Sequence, residues 1–222
     1  DTSKIDNRAV SVPRMFLDRV AATPQREAFR FPEGGGWASV TWQQVGDRVQ
    51  RIAAGLVVLG IAPEDRVALA SSTRYEWVLV DFAVVCAGAA TTTLYPTTNA
   101  RDVAFIVANS GSRVVIAEDQ TQVDKLLEHR AELPAVEKVV IIDGAGDGDF
   151  VITLDELERR GEQLLATTPD VVEQAFEQRS EFAELEEIVL RVAQFRRGTG
   201  DHRTRILQVG RRIDGAAAVA VV

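Results

Sequence analysis

The residue types that chemistry needs are sparse in this chain, and they fall in short stretches. Cys86 is the sole cysteine and lies in an apolar run, so it reads as a small core residue rather than a nucleophile. Of the two histidines, His129 sits beside Glu128 and Arg130 on a charged helix face, and His202 lies among arginines. Neither has a second metal-ligating residue at helical or CxxC-like spacing, so a zinc site is not expected, and no Ser or Cys triad can be composed. "DGAGDGD" (143–149) follows a strand, but the extended "FVITL" comes next rather than the helix a dinucleotide fingerprint needs. Ala145 and Leu154 stand where a calcium loop requires oxygen ligands, so this stretch reads as a solvated turn. Arg196, Arg197, Arg203, Arg205, Arg211 and Arg212 form a basic cluster suited to a phosphate-rich ligand or anionic lipid. No aromatics interleave it as single-stranded nucleic acid would require, and it reads as a solvated tail. "GTG" (198–200) lies in that tail without the lysine a phosphate cradle commonly carries. What remains are hydroxyl-bearing loop ends, with Ser72 and Arg74 in one loop and Tyr95, Thr97 and Thr98 in another.

The elements around those loops follow a regular rhythm. Apolar stretches at 66–70, 90–95, 113–118 and 138–143 begin 23 to 25 residues apart, with helical patterns between them. Short apolar strands joined by helices indicate βαβ units and a mostly parallel sheet covered on both faces. Ligands of such open sheets sit at the carboxyl ends of the strands, which directs attention to 71–73, 95–99 and 118–119. Helix starts are marked by Thr41 with Gln44, Thr73 with Glu76, Asn99, Asp119 with Gln122, and Thr153 with Glu156. Upstream, Pro13 opens a helix that stops at Thr23-Pro24, and "AFRF" and "ASVTW" flank the glycines of a hairpin. Val45, Val49, Ile52, Leu56 and Leu59 form one helical face, closed by Gly60. Beyond about Gln178 the rhythm is lost; a charged helix to Phe195 is followed by the arginine-rich tail.

Bulk properties narrow the class. The 222 residues are 46% hydrophobic and 26% charged, as expected of a globular chain. A net charge of -8 argues against a general nucleic-acid binder. Residues 177–222 hold eight arginines and seven acids, so the acidity resides upstream. No window approaches the ~18 apolar residues of a membrane span. The polar first ten residues do not read as a signal peptide, and a single cysteine fits a reducing, cytoplasmic location.

From about Val12 to Phe176 the chain resembles the start of the adenylate-forming acyl-CoA synthetases of the AMP-binding superfamily, and most of all the bacterial long-chain fatty-acid–CoA ligases. "SVTWQQVGDRVQRIAAGLVVLGIAPEDRVAL" is similar to the first core segment of that family. "SSTRYEWVLVDFAVVCAGAATTTLYPTTNARDVAFIVANSGSRVVIAE" is similar to the second, and "LYPTT" points to the long-chain branch. The resemblance implies a partial adenylate-forming domain over 1–176 and a divergent helical or disordered arginine-rich tail over 177–222. It implies a reaction of fatty acid, ATP and CoA, with Mg²⁺, giving acyl-CoA, AMP and pyrophosphate. It places no catalytic residue on this sequence. The family's Ser/Thr/Gly-rich phosphate loop does not appear after Phe176, and no lysine follows Lys138. The expectation is therefore an N-terminal fragment that binds none of these cofactors productively. Its substrate-adjacent candidates are Ser72, Arg74, Tyr95, Thr97 and Thr98, which also suit helix caps and packing. Peripheral membrane contact and a homodimer, formed where a partial sheet exposes an apolar face, complete the expected partners. The alternative is a non-catalytic binding module acting through the arginine tail.

Overall fold

The computed structural model describes residues 11–178. Helix α1 (Val12–Ala22) starts where the Ser11 hydroxyl accepts the Arg14 N–H, with Pro13 in the first turn. Proline costs nothing there because its missing N–H would have had no helical partner. Strands β1 (Glu27–Glu33) and β2 (Gly36–Thr41) pair antiparallel. Gly34 and Gly35 turn between them at φ of 58° and 81°, the left-handed pair that matches strand twist. Thr41 and Gln44 cap helix α2 (Trp42–Val58) reciprocally, so two backbone N–H groups with no helical partner are satisfied at once. The apolar face of α2 is buried at Val45, Val49, Ile52 and Leu56, and Gly60 follows at φ 82°.

The expected rhythm then unfolds as β3 (Arg66–Ala70), α3 (Tyr75–Cys86), β4 (Ala90–Leu94), α4 (Ala100–Ser110), β5 (Val114–Asp119), α5 (Gln120–Glu128) and β6 (Lys138–Asp143). A 3₁₀ turn, Arg130–Glu132, precedes β6. The turn at 143–149 is solvated, as read, and its Asp147 carboxylate accepts the N–H groups of Asp149 and Val151 at 2.8 and 2.9 Å. It delivers a short fifth strand, β7 (Val151–Thr153), and then α6 (Leu154–Thr167). The sheet order is β4-β3-β5-β6-β7, every pair parallel. Alternate residues sort to opposite faces, as strand geometry demands. Val67, Leu69, Val114 and Ile116 pack with α1, α2, α3 and α6. Ala68, Ala70, Val115 and Ala117 pack with α4 and α5.

Two expectations are corrected. Thr73 and Glu76 do not form a capping box: α3 begins at Tyr75, Arg74 occupies the cap without a side-chain cap bond, and Glu76 instead accepts from Arg74. An ion pair outcompetes the cap because Arg74 already faces several carboxylates. The strand at 90–95 stops at Leu94, since Tyr95 already turns to accept the Thr98 N–H. Of the small residues after α3, Ala87 and Ala89 are buried in the core cluster that includes Val67 and Leu69 of β3, and Gly88 makes room for another segment. Gly88 has φ 76°, and a Cβ there would lie 2.7 Å from the Ala175 carbonyl oxygen, within the helical stretch 171–178. The expected helix to Phe195, His202, "GTG" and the six-arginine cluster lie outside the described residues. The boundary expected at 176/177 falls just before the last two residues described.

Helix α6 crosses α2 at very short range. A Cβ on Gly161 would sit 2.6 Å from Gly55 N and 2.8 Å from Arg51 C, and closer still to the Arg51 carbonyl oxygen. Beside that crossing Glu158, 8% exposed, accepts from Arg48 at 2.9 Å and from Arg51 at 3.2 Å. A buried carboxylate is tolerated only with such pairing.

Candidate functional site

Sheet order decides which loops meet. Because β3 lies beside β5, and β5 beside β6, the loop after β3 faces Glu118 at the end of β5 and Asp143 at the end of β6. Ser72 donates its backbone N–H to Glu118 Oε2 at 2.7 Å and its hydroxyl to the same carboxylate at 2.7 and 2.8 Å. Arg74 donates from Nε to Glu76 at 2.6 Å, grips Asp143 with both Nη atoms, and stands 3.7 Å from Glu118. One guanidinium thus joins the ends of three neighbouring strands. Hydrogen bonding to Asp143 holds the Arg74 pKa above its ordinary value although burial opposes it. Burial acts to raise the Glu118 pKa, but the two Ser72 donors and the charge of Arg74 outweigh it and hold the carboxyl below the usual range.

Arg74, Glu76 and Glu118 of this cluster line one wall of a cleft of about 740 Å³, with Thr73, Tyr75 and Val78. The opposite wall is the hairpin strand β1 at Phe29 to Glu33. Phe31 stacks on Tyr75 with ring centroids 4.4 Å apart and planes 8° from parallel, which ties the hairpin to the first turn of α3.

The two predicted loops are therefore not equivalent. Ser72 and Arg74 both anchor carboxylates of the cluster, and of the two Arg74 lines the cleft. Tyr95, Thr97 and Thr98 follow the edge strand β4 and do not line the cleft. Their loop is pinned from behind: Lys125 donates to the Pro96 carbonyl at 2.6 Å, and Gln122 does so at 3.3 Å. Tyr95 is 81% exposed. Glu118 lies in the 118–119 strand end that the sequence singled out but was not among the candidate residues, and Glu76 and Asp143 were in neither. The signal was present for two of them, since each is an acid at the carboxyl end of a predicted strand, but which strand ends adjoin is a property of sheet order. Among the described residues no cluster of three His, Cys, Asp or Glu side chains is placed to hold a metal ion, and no helix is long and apolar enough to cross a membrane.

The model of the AMP-binding enzyme family matches residues 16–179. The chain belongs to that family. Among curated relatives, the long-chain-fatty-acid–CoA ligase FadD15 of Mycobacterium tuberculosis is 32% identical over 166 residues, covering 69% of this chain and 27% of the relative. An uncharacterised protein of the same organism, Rv1549, is 33% identical over 138 residues, covering 62% of this chain and 75% of that protein. Among solved structures, a Rhodopseudomonas palustris protein assigned as a long-chain-fatty-acid CoA ligase superposes with a TM-score of 0.58 at 27% identity, over 66% of this chain and 36% of that one. This AMP-binding family member thus spans about a quarter of the length of FadD15, and its sheet, helices and hairpin are those of the adenylate-forming N-terminal domain.

The family implies a nucleotide, and the cleft cluster does not fit its phosphates. A polyphosphate needs free N–H donors and unpaired cations. Here the Ser72 donors are committed to Glu118, Arg74 is committed to carboxylates, and Glu76, Glu118 and Asp143 would repel an anion.

Proposed function

We propose that this chain carries the N-terminal scaffold of an ATP-dependent long-chain fatty-acid–CoA ligase and does not complete the reaction alone. The reaction joins a fatty acid to CoA and converts ATP to AMP and pyrophosphate. The observation that carries this reading is the match to FadD15, 32% identical and covering 69% of this chain. The incapacity of the isolated chain rests on the committed donors of the cleft cluster and on the absence of any lysine after Lys138 in these 222 residues. ATP, Mg²⁺ and CoA would then be handled by parts of a complete ligase that these residues do not supply, and no step is assigned to Ser72, Arg74, Tyr95, Thr97 or Thr98.

Two measurements test the two halves of the proposal. The purified chain is expected to show no palmitate-dependent ATP–pyrophosphate exchange; exchange above a heat-inactivated control would overturn the claim of inactivity. For the ligase assignment, residues 16–178 replace the matching region of FadD15, and the chimera is expected to form palmitoyl-CoA. A folded chimera that uses only short or amino-acid substrates would overturn the long-chain assignment.

A further inference from the structure

The sheet ends on one side at β4, and among the described residues that strand pairs only with β3. The Ala90 N–H points inward to the Asp65 carbonyl at 2.8 Å. Backbone groups alternate sides along a strand, so Thr92 and Leu94 also bond toward β3, while Thr91 and Thr93 present N–H and C=O to the free edge. Natural edge strands usually carry a charge or a proline that blocks pairing with another chain. This one carries neither. No charged residue lies between Asp81 and Arg101, in a chain that is 26% charged, and Pro96 comes only after the strand has ended. One polar atom here is also left over: Thr91 Oγ1 is buried without a hydrogen-bond partner.

We propose that the free edge of β4 pairs antiparallel with the same edge of a second copy of this chain. A two-fold axis brings identical residues together, so a charged strand would set like charges against each other. The neutral run from 82 to 100 meets itself without that penalty. The two-fold keeps each sheet face with its equivalent, so only odd residues oppose odd ones and even residues oppose even ones. The register centred on Thr92 pairs all of Ala90–Leu94. It sets Thr91 against Thr93 of the second copy, which lets the outward backbone groups of both exchange bonds. Thr91 and Thr93 share the face that carries α3, since they lie beside Val67 and Leu69. The unpartnered Thr91 hydroxyl therefore meets the exposed Thr93 side chain of the second copy, a favourable cross-strand pair. A register centred on Thr93 would need Tyr95 extended, but the Tyr95 carbonyl is already turned onto the Thr98 N–H. The proposal does not depend on the ligase assignment.

Sedimentation velocity of the full chain from about 1 to 100 µM should show a monomer–dimer equilibrium. Thr93→Pro removes one outward N–H per copy and leaves the β3–β4 ladder intact. It should raise the dimer dissociation constant on the order of 30-fold. Thr93→Lys, with the native circular dichroism spectrum, should be monomeric. Thr92→Cys tests the register, because Thr92 faces itself in a pair with Cα atoms about 4.5 Å apart, within disulfide reach. Diamide should convert that variant to a covalent dimer and leave Thr97→Cys and the parent chain uncoupled, since Cys86 is buried. A parent chain that stays monomeric throughout, with no coupling through Thr92→Cys, overturns the proposal and leaves the edge for a strand of a different polypeptide. A dimer that Thr93→Pro and Thr93→Lys leave intact overturns it as well, by placing the interface elsewhere.

Discussion

Replacing Gly161 by alanine sets local preference against tertiary contact, and the two differ in sign. Gly161 lies inside α6, where Gly→Ala normally stabilises a helix by about 1 kcal/mol. The new Cβ would meet backbone rather than a movable side chain, at 2.6 Å from Gly55 N and 2.8 Å from Arg51 C, where ordinary contact begins near 3.4 Å. The Arg51 carbonyl oxygen would be closer still, so the helices must part by more than an ångström. That movement also opens the contact of Leu157 with Gly55, where a Cβ would already lie 2.8 Å from Leu157 Cγ. It lengthens the Arg51–Glu158 bonds, now 3.2 and 3.4 Å. Overpacking against backbone costs about 3 kcal/mol. Less the propensity gain, the net loss is about 2 kcal/mol. This corresponds to a midpoint about 1 M lower in urea and a Tm roughly 4–8 °C lower. Urea titrations of Gly161→Ala and of Gln163→Ala, an exposed neighbour on the same helix, provide the measurement. The control should stay within about 0.5 kcal/mol of the parent. A Gly161→Ala protein as stable as the parent, or more so, would refute the close crossing of α2 and α6.

Three further outcomes follow from the same contacts. Burial pushes the Cys86 thiol up from 9.0 to about 12. Above pH 9 the unfolded chain therefore releases a proton that the native chain keeps, and stability falls by up to about 1.4 kcal/mol per pH unit until about pH 12. Cys86→Ala should flatten most of that slope in urea titrations at pH 8 and 10.5; Tyr75, raised mainly by burial, accounts for a remainder above pH 10. Glu118→Gln should cost about 1–2 kcal/mol at pH 7 through loss of its charged acceptor for Ser72. The folded Glu118 pKa is depressed, so this difference is present above 4.5 and should shrink as pH falls through the folded value, which paired urea titrations at pH 7 and 3.5 would show. Lys125→Met should leave the Pro96 carbonyl with only the longer Gln122 bond and speed hydrogen exchange at the Thr98 amide by roughly tenfold, at a cost of about 1.4 kcal/mol in local opening, while amides of β5 stay protected.

The strand-and-helix rhythm was legible because its signals are local. The apolar runs "RVALA" and "RVVIAE", the caps at Thr41, Asn99, Asp119 and Thr153, and the glycine after α2 each act within a few residues, and the structure bears them out. The cap at Thr73 failed because Arg74 takes Glu76, two residues on, and is held in place by a partner no local window contains. Arg74 is drawn to Asp143, which lies 69 residues away. The candidate site was half legible on the same grounds. Ser72 and Arg74 could be named as a loop at a strand end, but Glu118 and Asp143 join them only because β5 and β6 are the next strands across the sheet. Tyr95, Thr97 and Thr98 had the same credentials in sequence and ended on a separate loop, because β4 lies at the outer edge.

The amino-acid sequence alone determined the class of fold, the order of its elements and the family, since periodicity, caps and ordered core segments are carried by neighbours along the chain. Tertiary structure alone decided the sheet order, the close crossing at Gly55 and Gly161, the bonding of Arg74 and Ser72 to carboxylates, and the neutral free edge at β4. Those depend on which distant backbones lie within a few ångströms of each other, and short-range spacing in a sequence does not encode that distance.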